Sequence, residues 1–291
     1  MVVGAALAVP AKPGVKKNLT LQDGSRVEVT LKGDEHVHFY QTADGHAIQY
    51  RSGGFQYVNR DSLIRLHQKR LDERNLQRSQ RARQQTSRKA AYQGQRKGLV
   101  ILVQFSDVKF TYGRDTFDDY FNKVGFDLDG MKGSVHDYFY EQSYGQFDLE
   151  FDVVGPVTVN NKAEYYGYDF SSDTDQNQRV ALMVNSVCRQ VDSEVDYAQY
   201  DWDGDSYVDQ VYVIYAGYGA AQGADHTIWP HEWTVRAGGT QYTTGEGVKI
   251  DTYGTSCELR GDGVHNTGHI DGVGTSCHEF SHCLGLPDFY D

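Results

Sequence analysis

Cysteine is scarce in this sequence, and the few cysteines do not form a metal-binding or disulfide pattern. They stand at irregular positions: Cys188, Cys257, Cys277 and Cys283. Four are too few for a disulfide framework, and no pair has the two-residue spacing of a cysteine-based zinc site. A single disulfide bond in an exported protein and a set of buried free thiols both stay open as interpretations.

Long apolar runs are also lacking. No stretch of about 18 apolar residues occurs, so we expect no membrane span. The short apolar run at residues 2–9 leads through Ala-Val-Pro-Ala into a basic flank at Lys16 and Lys17. That arrangement is typical of the end of a secretory signal peptide, with a disordered start as the alternative for residues 1–17. We therefore expect a secreted protein.

Positive charge is concentrated in one segment. Residues 61–97 carry 11 Lys/Arg against 3 Asp/Glu, whereas residues 98–291 carry 10 against 32. The basic segment either attracts the acidic domain or forms a solvated helix. It has few aromatic residues, and the acidic remainder would repel phosphate, so we expect no nucleic-acid partner.

The chain divides into three parts after residue 17. Residues 18–60 alternate between polar and apolar side chains with Asp-Gly and Gly-Gly turns, which predicts a small antiparallel β domain. Residues 61–97 predict a basic exposed helix or linker, rich in sites for trypsin-like cleavage. Residues 98–291 mix strands with helices, which indicates an α/β (α+β) fold with a mixed sheet.

Within this last part, residues 99–105 form a near-continuous apolar run and predict a central strand that is buried on both faces. Further strands are predicted at residues 147–154 and 211–215. Helices are predicted at residues 116–122, 134–143, 177–191 and 277–284.

The strongest motif is His278-Glu279-Phe280-Ser281-His282. Two histidines four residues apart lie on one face of a helix, where both imidazoles reach one Zn²⁺ at about 2.0–2.1 Å. Glu279 lies about 100° around the helix, where it reaches the activated water and acts as general base. The predicted reaction is hydrolysis of a polarised carbonyl.

A third zinc ligand is predicted six residues after His282. Gly285 can adopt the left-handed conformation that ends a helix, and Pro287 prevents the helix from continuing. The chain then turns and brings Asp288 to the metal, where the metzincin pattern has a histidine. The predicted site is therefore His₂Asp with an open fourth position.

An acidic loop predicts a structural calcium site. Carboxylates occupy alternate positions, and a backbone carbonyl adds a ligand: Asp201, Asp203, Asp205, Asp209 and the carbonyl of Tyr207. The loop departs from an EF-hand, because its twelfth position is Tyr212. An acidic solvent loop held by Asx turns is the alternative.

Four segments together resemble the immune inhibitor A family of secreted bacterial zinc metallopeptidases: residues 134–145, the acidic loop with residues 211–217, residues 228–233 and residues 278–291. The resemblance covers residues 98–291. It implies a zincin-like catalytic domain, extracellular protein substrates, and zinc ligands at His278, His282 and Asp288 with Glu279 as base. It also implies a propeptide before Gly98 and a further C-terminal subdomain that would complete the cleft.

The leading interpretation is a monomeric endopeptidase precursor inhibited by its own propeptide. Residues 1–97 contain no cysteine, so if the propeptide blocks the metal, a carboxylate or histidine must do so, with Asp34, His36, His38 and Asp44 as candidates. The alternative is that these are strand-face and turn residues and that inhibition is steric. Cleavage within residues 65–97 would activate the precursor. The alternatives are a non-catalytic calcium-stabilised binding module with a vestigial zinc site, and a zinc hydrolase that acts on something other than protein.

Overall fold

The structure is a computed structural model that describes residues 10–51, 53–86, 92–167 and 176–288. Its strands are β1 (Lys16–Thr20), β2 (Arg26–Gly33), β3 (His38–Thr42), β4 (Ala47–Arg51), β5 (Gly54–Val58), β6 (Gly94–Gln104), β7 (Phe147–Thr158), β8 (Val211–Tyr218), β9 (His231–Thr234) and β10 (Thr252–Leu259). Its α-helices are α1 (Arg60–Thr86), α2 (Arg114–Asn122), α3 (Val135–Gln142), α4 (Ala163–Tyr166), α5 (Gln176–Gln190) and α6 (Val273–Cys283). Short 3₁₀ turns cover Leu128–Gly130, Tyr197–Tyr200, Ala220–Gln222 and Val235–Gly238.

The first five strands form one antiparallel sheet in the order β1-β2-β3-β4-β5, as the alternating pattern predicted. Gly24 and Gly45 have φ of +85° and +93°, which explains the Asp-Gly turns between strands. The apolar face of this sheet, with Leu31 and Ile48, packs on Trp229 of the following part of the chain. The two parts therefore share a buried interface.

The second sheet is mixed, in the order β7-β6-β8-β10-β9. Strand β6 lies between β7 and β8 and pairs parallel with both, and residues 99–103 are buried on both faces. The predicted central strand is thus confirmed, although it begins at Gly94 rather than at Leu99. Position 98 inside this strand requires a glycine, because a Cβ there would stand 2.6 Å from the ring of Phe151.

Strand β10 was not predicted. All eight of its residues are buried, yet it contains Gly254, Thr255, Ser256 and Glu258 in place of an apolar run. The Glu258 carboxylate accepts hydrogen bonds from the backbone N–H groups of residues 111, 112 and 217. Internal hydrogen bonds make this polar strand compatible with burial, and a hydrophobic pattern cannot reveal it.

Helices cover both faces of the mixed sheet. Helix α5 packs on one face through Val180, Val184 and Val187. Helices α2, α3 and α6 cover the other face, where Phe280 of α6 contacts Phe139 and Phe151. The fold is therefore α+β, with one mixed and one antiparallel sheet. The four cysteines are buried and form no disulfide bond with one another, in line with the second of the two interpretations that the sequence left open.

Helix α1 differs from the exposed helix or linker that its composition predicted. Leu63, Arg74 and Arg78 are buried along one side, and Arg78 is only 1% exposed. The buried side carries two arginines, so it has no apolar periodicity. Among the described residues, no helix combines the length and apolar character needed to cross a membrane.

Candidate metal centre

Helix α6 presents two histidines on one face. Cys277, Phe280 and Cys283 bury the opposite face against the mixed sheet. His278 and His282 lie one turn apart, with ring centroids 4.4 Å apart and Nε2 atoms 3.0 Å apart. Burial and the neighbouring His282 lower the pKa of His278 to about 3, so its imidazole is neutral, the form that binds metal.

The helix ends as its sequence predicted. Gly285 has φ of +85°, and the backbone N–H of Leu286 donates to the carbonyl of Ser281 at 3.1 Å. His282 Nδ1 lies 2.8 Å from the carbonyl oxygen of Leu286, and a carbonyl oxygen can only accept a hydrogen bond. Nδ1 therefore carries a proton, and Nε2 is the ring nitrogen that can bind a metal ion.

The turn after the helix returns Asp288 to the histidines. Its Oδ1 lies 3.1 Å from Nε2 of His282 and 3.7 Å from Nε2 of His278. One ligand atom from each of the three residues lies within 4.8 Å of the others. Burial by itself raises the pKa of Asp288, but the nearby rings of His282 and His36 and the charge of Arg78 outweigh burial, so the pKa lies well below its ordinary value.

Glu279 lies on the inner side of α6. Its side chain is completely buried, and neither carboxylate oxygen accepts a hydrogen bond from a described residue. Burial raises the pKa of Glu279 well above its ordinary value, with Glu232 and Asp288 adding to this effect and Arg78 opposing it. A buried carboxylate with no donor is expensive unless a cation stands nearby.

The edge strand β9 adds a carboxylate for which the sequence predicted no role. Glu232 pairs in register with Gly254, so both residues face the same side of the sheet. A Cβ on Gly254 would stand 3.2 Å from Sγ of Cys283, which places that side against α6. Oε2 of Glu232 lies 3.1 Å from Nε of Arg78 and 3.6 Å from Nη2 of Arg74.

The turn between β2 and β3 also reaches the centre. Oδ1 of Asp34 accepts the backbone N–H groups of His36 and Val37, and its Oδ2 lies 2.7 Å from Nε2 of His67 on α1. Nε2 of His36 lies 3.6 Å from Oε1 of Glu35 and 3.9 Å from Oδ2 of Asp288. The Glu35 side chain is 7% exposed, and both its oxygens lack a hydrogen-bond donor among the described residues.

Only part of the predicted inhibitory group therefore reaches the site. His36 does, whereas Asp34 holds the turn and His38 stacks on Trp229 at 4.5 Å. Asp44 lies in an exposed turn, bonded to Thr42 and His46. Glu35, for which no role was predicted, is the carboxylate whose charge interacts with that of Glu279.

The profile of the family described as "Immune inhibitor A peptidase M6, catalytic domain" matches residues 84–291. The chain belongs to this family. A relative named Immune inhibitor A, from Bacillus thuringiensis subsp. alesti, is 30% identical over 237 residues. That alignment covers 67% of this chain and 33% of the relative, so the chain spans about a third of the length of the curated relative it matches.

The family is named for a peptidase catalytic domain, and this domain contains the cluster of His278, His282 and Asp288. The residues present fit a metal ion. Among the side chains that the structure describes, four carboxylates surround two guanidinium groups at the centre: Glu35, Glu232, Glu279 and Asp288 around Arg74 and Arg78. With all four carboxylates ionised, two negative charges remain, which one divalent cation would neutralise; without a cation, burial raises the pKa of Glu35 and Glu279.

The acidic loop forms a second cluster in this family member. Asp201, Asp203 and Asp209 bring one oxygen each within 4.8 Å, whereas Asp205 lies outside that group. The Asp201 carboxylate accepts the N–H groups of residues 204, 205 and 206, and Oδ1 of Asp205 accepts that of Tyr207. Burial, and then the charges of the three other loop aspartates, raise the pKa of Asp209 to about 7, although the N–H of Trp202 opposes them.

Proposed function

We propose that the chain is the precursor of a secreted zinc-dependent endopeptidase that hydrolyses extracellular proteins. The observation that carries the proposal is the convergence of His278, His282 and Asp288, with the buried Glu279 beside them, in a member of a metallopeptidase family. Two neutral imidazoles and one carboxylate are a ligand set of catalytic zinc sites.

Each residue has a distinct task in this proposal. His278, His282 and Asp288 hold the Zn²⁺, and the carbonyl of Leu286 orients His282 through Nδ1. When bound, the zinc ion acts as a Lewis acid on the scissile carbonyl and acidifies a water molecule. Glu279 accepts the proton of that water and delivers it to the leaving amine. Its raised pKa suits a group that takes up a proton and later releases it.

The proposal keeps the sequence-based division: an export segment in residues 1–17, a β-rich propeptide in residues 18–60, the activation cleavage within residues 61–97 and the zincin-like catalytic domain in residues 98–291. The strands begin slightly earlier than these boundaries, β1 at Lys16 and β6 at Gly94. The antiparallel sheet of the propeptide packs on Trp229 of the catalytic domain, which supports the assignment of the propeptide as an inhibitor. Replacing the basic residues of 65–97 other than Arg74 and Arg78 should slow activation, and unchanged activation would contradict the cleavage site.

A calcium ion at the acidic loop is the second part of the proposal. Asp201, Asp203 and Asp209 would supply carboxylate oxygens, with Asp205 and the carbonyl of Tyr207 completing the oxygen set. The crowding of these carboxylates supports it, because each one disfavours ionisation of Asp209.

The decisive experiment is hydrolysis of casein by the full-length protein after activation. Glu279→Gln should lower the rate by about 10²–10⁴-fold, the usual contribution of general acid–base catalysis, while the bound zinc stays stoichiometric. Glu246→Gln, at an exposed loop carboxylate, is the matched control and should keep full activity. Hydrolysis that survives Glu279→Gln would overturn the mechanism. A protein that binds zinc but hydrolyses no substrate would favour the non-catalytic alternative.

A further inference from the structure

The Arg78 guanidinium occupies a built pocket beside the metal ligands. Its Nε donates to Oε2 of Glu232 at 3.1 Å, and its Nη1 donates to Oδ2 of Asp288 at 2.8 Å. The three side chains are 1%, 0% and 4% exposed. A planar fork that meets two carboxylates with two different nitrogens is the geometry by which arginine is recognised, and lysine cannot reproduce it.

The pocket leaves the metal-binding atom of Asp288 free. Oδ2 faces Arg78, whereas Oδ1 faces Nε2 of His282 and accepts no hydrogen bond from a described residue. One carboxylate can therefore serve a metal ion and a guanidinium group together. Occupation of the pocket does not require loss of the metal.

Other arginines of helix α1, which carries Arg78, also bond to residues around this site. Arg74 donates to the backbone carbonyl of Glu232 and lies 3.1 Å above the ring of Trp233. Nη1 of Arg70 donates to the carbonyl of His36 at 2.6 Å, so α1 holds the turn that contains Glu35. Residues of this turn, α1 and β9 line a cavity of about 170 Å³, so the three elements meet there.

We propose that Glu232 and Asp288 form a guanidinium-binding site next to the metal centre, and that Arg78 occupies it in the uncleaved chain as a latch. The ligand class is an alkylguanidinium group, as found on an arginine side chain. The latch keeps the Glu35–His36 turn and α1 over Glu279, where a substrate would otherwise enter. This role as an inhibitor rests on the proposed peptidase function, whereas the guanidinium site does not.

Chemical rescue of the full chain tests the site without any need for activity. Arg78→Ala should lower the melting temperature, and millimolar ethylguanidinium should restore at least half of the loss in a saturable way. Ethylammonium, which lacks the fork, should restore less, and neutral N-ethylurea should restore nothing. Arg78→Ala combined with Glu232→Gln should not respond. Arg65→Ala, on the exposed side of α1, is the matched control and should neither melt early nor respond.

Absence of rescue, or equal rescue by all three compounds, would overturn the site. If Arg78→Ala accumulates only as unfolded chain, the yield of refolding in each compound replaces the melting temperature. A yield that ethylguanidinium raises and ethylammonium does not supports the site, and no gain with either contradicts it.

Two further measurements test the latch on the uncleaved, zinc-loaded chain. Removal of one partner of a buried ion pair is strongly destabilising, so Arg78→Ala should hydrolyse a quenched peptide at least about a hundredfold faster than the unaltered chain. It should also lose zinc to 1,10-phenanthroline faster, and Arg65→Ala should change neither rate. Latency and chelator resistance that survive Arg78→Ala would overturn the latch. Faster zinc loss without hydrolysis in any variant would support the latch and contradict the peptidase function.

Discussion

Nη1 of Arg78 donates a hydrogen bond of 2.8 Å to Oδ2 of Asp288, although 210 residues separate them in the sequence. The Asp288 carboxylate thereby joins helix α1 to the two histidines of α6. Its two oxygens have different partners, and this division lets one residue act both as a proposed zinc ligand and as the receptor of the latch. The charge of Asp288 should therefore matter for zinc binding and for docking of α1.

Asp288→Asn tests the role of this charge in zinc binding without a change in the size of the side chain. The amide keeps the shape but loses the charge that faces His278 and His282. Because loss of even an outer-shell partner usually lowers metal affinity about 10–100-fold, we expect at least that decrease for zinc. Competition against a chromophoric chelator measures it. Asp118→Asn, at an exposed position of α2, is the control. An unchanged zinc affinity would move the third ligand elsewhere.

The turn that places Asp288 depends on one glycine. Gly285 has φ of +85°, a conformation that is strained for a residue with a Cβ, and the turn that it forms positions both Leu286 and Asp288. Gly285→Ala should destabilise the protein by about 1 kcal/mol and weaken zinc binding as well. Gly274→Ala, inside the preceding helix α6 and with open space for the added Cβ, should be neutral or slightly stabilising. Equal behaviour of the two variants in thermal melts and zinc titrations would contradict this account.

The sequence predicted the proximity of the candidate site residues where they are neighbours in the chain. His278, Glu279, His282, Gly285 and Asp288 lie within one helix and its following turn, so helical periodicity and turn chemistry were sufficient. The partners of this group were not predicted, because they come from α1, β9 and the β2–β3 turn. Their contacts are long-range and polar, and a buried face made of arginines gives no hydrophobic period.

The antiparallel sheet and strand β6 were predicted because turn residues and apolar alternation mark them directly. Strand β10 was missed for the opposite reason. Its burial depends on hydrogen bonds from Glu258 to loops that precede it by more than a hundred residues. Only the folded chain brings these donors together.

Calcium should stabilise the acidic loop. Asp201, Asp203 and Asp209 repel one another in the absence of a cation, and this repulsion helps to raise the pKa of Asp209. Removal of calcium with EGTA should therefore lower the melting temperature, and added Ca²⁺ should restore it. Asp209→Asn should abolish the response, whereas Asp107→Asn, at an exposed residue outside the loop, should retain it. A melting temperature indifferent to EGTA would leave the loop as a set of Asx turns.

Acid should weaken the docking of the antiparallel sheet through His38. This residue is buried against Trp229, with Nδ1 3.0 Å from the carbonyl of Asp34. Burial lowers the pKa of His38 to about 4, while the carbonyl and charge of Asp34 oppose the shift and Arg70 adds to it. The folded state binds the proton less tightly than the unfolded state, whose histidine pKa is about 6.5. The contribution of the neutral, buried His38 side chain to the stability of the fold is therefore complete above pH 6.5, and it is lost as the pH falls from there to about 4.

The loss should amount to at most about 3 kcal/mol, since one pKa unit corresponds to about 1.4 kcal/mol. Urea unfolding at a series of pH values measures it, and the contribution of His38 is the difference between the unaltered chain and His38→Gln. That variant should be less stable at neutral pH but should lose less stability between pH 6.5 and 4. His46→Gln, in the exposed β3–β4 turn, should follow the unaltered chain over this range. If His38→Gln loses as much stability as the unaltered chain, another group is responsible for the effect of acid.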